Sequence, residues 1–584
     1  MIRPAAFLLL SAALAAAAPA PAQEPAAIPV EWDAPEVLKA HYELHLKSPP
    51  PEARTDRVAF RRWVREVRRR APEIAAAEGW FSAEVEVQEE GAVRVTVRPG
   101  PRTHVAEVEI AFRGDLALEG PFRERRREQL REGWTLPAGK PFRQADWDDA
   151  KARLLESLTA DDYAAGRIAA SEARIEADAA RAKLTVTLES GPAFSLGEVS
   201  LAGLARYPRR VVEPLVDIDA GEPYRSERLL DLQRVLQSTP YFAGVTVEID
   251  RDPARPSRVP VRVTVVERPV ADVGLSAGYG TDSGVRGEVS LRYRNAFGRG
   301  YDMQSAVQAD AKRQIGYADF YLPSGTFGDA FIGSVATRDS VGALFEHTAI
   351  QGLDTRRAAV AAYRKFLRDP YEVRVGLSFQ TERARPDGAE STLKRALAPV
   401  GSVTWRFVDN VLDPRKGGVL QVQLAGGARA VLSDRDFLQA YAQYQHWFSP
   451  TAKDQFIVRG EVGQTLADSR AGVPEEFLFR AGGTRSIRGY PYQGIGPREG
   501  DAVVGGRFLY TASAEYVRWI TPAWGAALFA DTGAAADSWQ SMQSVRGYGV
   551  GLRLRTPAGP LALDVAYAER DKRVRGSFSV SVAF

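Results

Sequence analysis

Gly576-Ser577-Phe578-Ser579-Val580-Ser581-Val582-Ala583-Phe584 closes the chain on a strict alternation. Phe578, Val580, Val582 and Phe584 fall on one face of a strand, and Ser577, Ser579, Ser581 and Ala583 on the other. A strand of a water-soluble sandwich shows the same period. About nine residues is also what a tilted strand needs to cross a bilayer. One fatty face and one small polar face suit a membrane barrel, in which lipid-facing and lumen-facing positions alternate.

At 584 residues several domains are expected. The start reads as a cleavable signal peptide over residues 1–22: Arg3 is its positive region and Ala5 to Ala18 its short apolar stretch. Ala20-Pro21-Ala22 supplies the small-residue cleavage site before Gln23. No other apolar run approaches the ~18 residues of a transmembrane helix. Export without a helical anchor leaves a secreted soluble protein or an outer-membrane barrel. With no cysteine, stability has to come from packed cores or barrel closure rather than disulfides. A net charge of +3, from 77 basic and 74 acidic residues, argues against nucleic acid as a partner.

The front of the chain repeats. Val95-Thr96-Val97-Arg98-Pro99-Gly100-Pro101 returns as Val186-Thr187-Leu188-Glu189-Ser190-Gly191-Pro192, and each is followed by a Glu-Val pair (Glu107-Val108, Glu198-Val199). A third copy, Val263 to Pro269, keeps the strand and the proline, with Arg268 where the glycine would stand. Gly139-Lys140-Pro141-Phe142 returns as Gly221-Glu222-Pro223-Tyr224, each before a helical pattern. Three units, 23–100, 101–191 and 192–268, therefore read strand, helix, helix, strand, strand. Such an α+β unit has a sheet edge that can accept an extended peptide.

After Pro269 helical periodicity gives way to short alternating segments between Gly, Asp, Asn and Pro turns. Aromatics gather near segment ends, as in an interfacial girdle. Residues 269–584, at roughly 20 per strand and turn, predict about 16 strands, with one division unplaced between Leu344 and Phe366. A long Gly- and Arg-rich segment, Pro474 to Asp501, interrupts them. At its centre stands Gly482-Gly483-Thr484-Arg485-Ser486-Ile487-Arg488-Gly489-Tyr490, and Phe529-Ala530-Asp531-Thr532-Gly533 follows on a later strand.

These two motifs, in order and joined to the repeats and the terminal Phe584, resemble the outer-membrane assembly superfamily that couples POTRA repeats to a 16-stranded barrel. That resemblance implies an Arg488-Gly489-Tyr490 loop tip folded into the lumen against Asp531. An arginine fork suits a carboxylate, Gly489 permits a tight backbone, and Tyr490 is expected to pack on the wall. Within the superfamily, three POTRA-like units resemble the TamA branch, the outer-membrane subunit of the translocation and assembly module. This implies a TamB-like inner-membrane partner, unfolded outer-membrane proteins such as autotransporters as substrates, outer-membrane lipid around the barrel, and a Gram-negative host with the POTRA units in the periplasm.

The first barrel strand, about Ala271 to Gly280, carries Gly274, Gly278 and Gly280, which weaken a strand. It is expected to meet the terminal strand, Gly576 to Phe584, at a seam that opens laterally and thins the bilayer nearby. A two-partner-secretion pore exporting one soluble protein is the alternative, and a passive porin explains neither the repeats nor the arginine loop. Val545-Arg546-Gly547-Tyr548 spells the tip motif again but reads as a turn before a strand at Gly549 to Arg555. Asp409 to Gly417 resembles a periplasmic hairpin. No enzyme is expected. Gly274-Leu275-Ser276-Ala277-Gly278 lacks the strand-to-helix context of a nucleophile elbow, and His41-Tyr42-Glu43-Leu44-His45 is not the zinc-protease order. No cofactor motif appears.

Overall fold

The computed structural model describes residues 28–54, 56–88, 93–326, 331–332, 335–556 and 559–580. The signal-peptide reading, 1–22, and the terminal Phe584 lie outside them. The described residues divide into two compact units, one of residues up to 198 with 219–228 and 249–260, the other of 199–218, 229–248 and those from 261 onward.

In the first unit, Val30–Asp33, Glu84–Gln88 and Val93–Arg98 form a sheet in which the last strand is central and runs parallel to the first. Helices Glu36–His45 and Arg57–Ala77 cover it. Trp63, Val67, Ala71 and Ala75 recur every four residues and pack with Leu38 and Tyr42 on Val93, Val95 and Val97, which recur every two. The second module repeats the order with His104–Arg113, Arg167–Glu176 and Arg181–Glu189 under helices Pro121–Glu132 and Gln144–Ala160. Leu130, Trp147, Leu154 and Leu158 close over Ala182, Leu184, Val186 and Leu188. At about 1.5–3 kcal/mol per buried large side chain, such cores stabilise a module that has no disulfide.

The third sheet, Leu196–Ala202, Val259–Glu267 and Phe242–Ile249, keeps the order with one helix, Ser226–Ser238. Here the expected two-helix pattern fails. Two short 3-10 turns, Arg209–Val211 and Glu213–Leu215, replace the first helix, because Pro208 and Pro214 bracket a Val-Val pair and no helical run survives between them. Arg268, at the place of the missing glycine, donates from Nε to the Phe242 carbonyl at 2.8 Å.

From Ala271 the chain forms a nearly closed antiparallel barrel of 16 long strands, with a two-residue strand, Phe331–Ile332, beside the fifth. The unplaced division falls at Gln351-Gly352, two positive-φ residues between Val335–Ile350 and Leu353–Arg368. Val545 to Tyr548 is not a turn: it opens the strand Val545–Thr556, because Val545 and Gly547 continue the buried alternation of that strand. The last strand begins earlier than expected, at Arg573, and is described to Val580.

Candidate functional site

Each consecutive pair of barrel strands is hydrogen-bonded, from Ala271–Gly280 against Gly284–Ala296 through Gly559–Ala568 against Arg573–Val580. The first and last strands are the exception. Among the described residues no backbone pair joins them, and Phe578 N–H donates at 2.8 Å to Oγ1 of Thr281, in the turn just past the first strand. On the first strand Val273, Leu275 and Tyr279 are exposed on the outer face, while Gly274, Gly278 and Gly280 stand on the other. Phe578 lies opposite Leu563, which is exposed outward, and Ser577 opposite Asp564, which is buried in the lumen. The alternation read at the chain end therefore sorts an outer from an inner face up to Phe578.

The segment joining Asp454–Leu466 to Phe508–Trp519 runs over residues 467–507, longer than the Pro474 to Asp501 expected. It leaves the barrel at the end opposite chain entry and folds into the lumen. Phe479, Ala481, Ile487, Tyr490 and Ile495 pack there on Leu509, Ala535, Val545 and Ala568. On another stretch of wall Phe477 and Leu478 pack with Ala396, Ala398 and Phe437, and Lys394 pairs with Glu475 at 3.0 Å.

The strand Trp524–Ala536 alternates exposed Trp524, Ala526, Leu528 and Ala530 with buried Gly525, Ala527, Phe529 and Asp531, so the parity of the chain turns Asp531 inward. Arg488 grips it with both ends of its fork, Nε to Oδ2 at 2.7 Å and Nη2 to Oδ1 at 2.8 Å. The Arg488 backbone N–H reaches the same carboxylate at 2.9 Å, as does Ser513 Oγ at 2.7 Å. The guanidinium lies 3.5 Å from the Phe529 ring centre. Its remaining nitrogen donates to Glu515 Oε2 at 2.6 Å. Glu515 and Asp564 in turn accept from Arg553 at 2.7 and 2.6 Å. Two guanidinium groups thus face three carboxylates, with both charges of the Arg488–Asp531 pair nearly out of water at 4% and 3% exposure.

Gly489 sits at φ +90° with its α-carbon against Tyr567 and Ala568. Tyr490 donates to the Arg546 carbonyl at 3.0 Å and accepts from the Arg570 N–H at 3.1 Å. On the other flank of the seam, Thr484 donates through N and Oγ1 to Asp282 at 3.0 and 2.8 Å. The loop thus holds the first hairpin and the last strands at once. What remains of the lumen is a cavity of about 1000 Å³ that reaches Gly278, Phe578 and Ser579 at the seam.

Sequence reasoning missed Glu515, Arg553, Asp564, Ser513 and Gly547. Their signal was a charge, a hydroxyl or a glycine at inward parity on strands otherwise apolar outward. Gly547, inside the second copy of the tip motif, receives the first copy: a methyl there would run into the Arg488 carbonyl.

The fold and the site define a class, an antiparallel 16-stranded barrel with a long loop locked inside it by a buried arginine. Residues 295–584 match the Omp85 superfamily domain. The chain is 26% identical over 390 residues to the outer membrane protein assembly factor BamA of Nitratidesulfovibrio vulgaris, covering 63% of this chain and 47% of that protein. It is 23% identical over 436 residues to BamA of Neisseria meningitidis serogroup B, covering 70% and 52%. The chain thus spans about half the length of the curated relatives it matches. The crystal structure of BamA from Haemophilus ducreyi lacking POTRA domains 1-3 superposes with a TM-score of 0.69 at 14% identity, over 82% of this chain and 100% of that one.

Proposed function

We propose that this protein inserts and assembles outer-membrane β-barrel proteins, autotransporters among them, at the seam between Ala271–Gly280 and Arg573–Val580. In this reading the three small modules are POTRA units in the periplasm. They receive unfolded substrate and engage a TamB-like inner-membrane partner, as in the TamA branch. The observation that carries it is the seam, where no backbone pair joins the two strands among the described residues. A backbone polar group left unsatisfied in hydrocarbon costs several kcal/mol, so an open edge at membrane depth is a strong acceptor for an incoming strand. The relatives named as assembly factors support the same reading. Arg488, Gly489, Tyr490 and Asp531 would then fix the loop in the lumen behind the seam, and Gly274, Gly278 and Gly280 would keep the accepting strand deformable.

A photocrosslinking scan along Val273 to Tyr279 in living cells tests it. Adducts at alternating positions with the terminal strands of newly made outer-membrane proteins are expected, and a disulfide joining the two seam strands should stop assembly. Capture of one soluble exported chain near Asp531, with no barrel protein at the seam, would replace this reading with a secretion pore.

A further inference from the structure

Between Arg57 and Arg70 the second helix of the first module carries seven arginines and one acid, Glu66. Trp63, Val67, Ala71 and Ala75 turn into the core, which leaves Val58, Arg62, Arg65 and Arg69 on the opposite face with Arg61 and Arg68 at its flank. All six are exposed. Arg69 pairs with Glu73 and Arg70 with Glu66, each at 3.3 Å. Among the described residues Arg61, Arg62, Arg65 and Arg68 have no carboxylate at ion-pair distance.

Over residues 28–100 acids and bases balance to within one, so charge here is segregated rather than in excess. Arg57, Arg61, Arg65 and Arg69 follow one another at four-residue intervals, a like-charge row that weakens a helix. Solubility alone does not call for such a row. One apolar residue, Val58, stands exposed on the same face.

We infer that this helix face docks the first module on an anionic phospholipid surface. Guanidinium forks bind phosphate oxygens in pairs, and clustered basic residues on an amphipathic helix beside apolar side chains match a charged headgroup layer. An acidic protein segment, the other occupant that such charge would fit, is an outcome that the test below separates. The inference stands on a different unit from the seam and does not rest on the assembly reading.

The test uses the full chain in phosphatidylcholine nanodiscs, mixed with sedimentable vesicles of phosphatidylcholine with or without phosphatidylglycerol. Retention only on the phosphatidylglycerol vesicles is expected, lost at high salt. Arg62→Gln and Arg65→Gln should each weaken it about fivefold, the equivalent of about 1 kcal/mol per basic residue at such a surface. Arg94→Gln, which removes an exposed arginine paired with Glu31 on the sheet, should leave it unchanged. Thermal melts of the variants matching the parent exclude unfolding as the cause. Equal retention on both vesicle types, glutamine variants that bind like the parent, or binding to polyglutamate without binding to phosphatidylglycerol would each overturn the inference.

Discussion

Arg488 costs more to disturb than its ion pair alone suggests, because each partner left behind is a charge out of water. Asp531→Asn strands a guanidinium among fewer carboxylates, and Arg488→Ala leaves three carboxylates facing one arginine. Either should destabilise the loop-in state by about 3–5 kcal/mol. A lower thermal midpoint in detergent and faster protease cleavage within residues 467–507 would report it. Arg488→Lys should not rescue, since an ammonium cannot span both Asp531 oxygens. A second residue-scale prediction concerns the modules. Asp115 accepts from Arg123 at 2.8 and 3.0 Å and from Tyr163 at 2.9 Å. The Arg123 hydrogen bonds hold its carboxyl below the usual range, against a smaller rise from burial and with Tyr163 adding to the drop. The stability it contributes is present in full above about pH 3.9 and lost as pH falls through the lower folded value. Asp115→Asn should therefore lower the module's melting temperature at neutral pH, and the gap to the parent should close as pH is lowered through the carboxylate range.

Strand length and composition make the seam the cheapest place to open the barrel. The first strand has 10 residues, whereas the fifth to eighth have 16 or 17. About 9–11 residues is what a tilted crossing needs, so the first strand is barely long enough, and among the described residues it has no backbone pair with the last. The glycines of the first strand are not equivalent. A side chain at Gly274 would meet Ser290 Oγ at 2.5 Å, while Gly278 faces open space. Gly278→Val should therefore fold normally and stiffen the strand by roughly 0.5–1 kcal/mol. On the assembly reading it slows insertion of substrate barrels, measured as the rate at which a newly made barrel protein becomes protease-resistant. An unchanged rate would remove strand deformability from the mechanism. The arginine-rich helix of the first module is the other element that breaks a local rule, and lipid binding is where that departure should be read out.

For the whole molecule, the lumen is filled from one side by a single loop. Deleting 474–501 should convert a nearly silent barrel into a conducting pore in planar bilayers, and unchanged conductance would mean that other segments close it. Much of this was legible beforehand: the first barrel strand, Ala271 to Gly280, follows from its alternation, and the small modules follow from repeated strand ends such as Val95 to Pro101 and Val186 to Pro192. Local pattern also set which residues face out, since lipid tolerates only apolar side chains on alternate positions. Pattern could not show that two 3-10 turns stand where the third module's first helix was expected, because prolines act on a whole segment. It could not join Glu515, Arg553 and Asp564 to Arg488 either, because those residues meet only across strands far apart in the chain. Nor could it show that, among the described residues, no backbone pair joins the barrel's first and last strands. The sequence by itself determined the strands, their faces and the two motifs, all written in nearest-neighbour periodicity. Only the tertiary structure decided which charges share one buried network and where, among the described residues, the sheet's two edges go without a backbone pair, because both depend on register summed around the entire barrel.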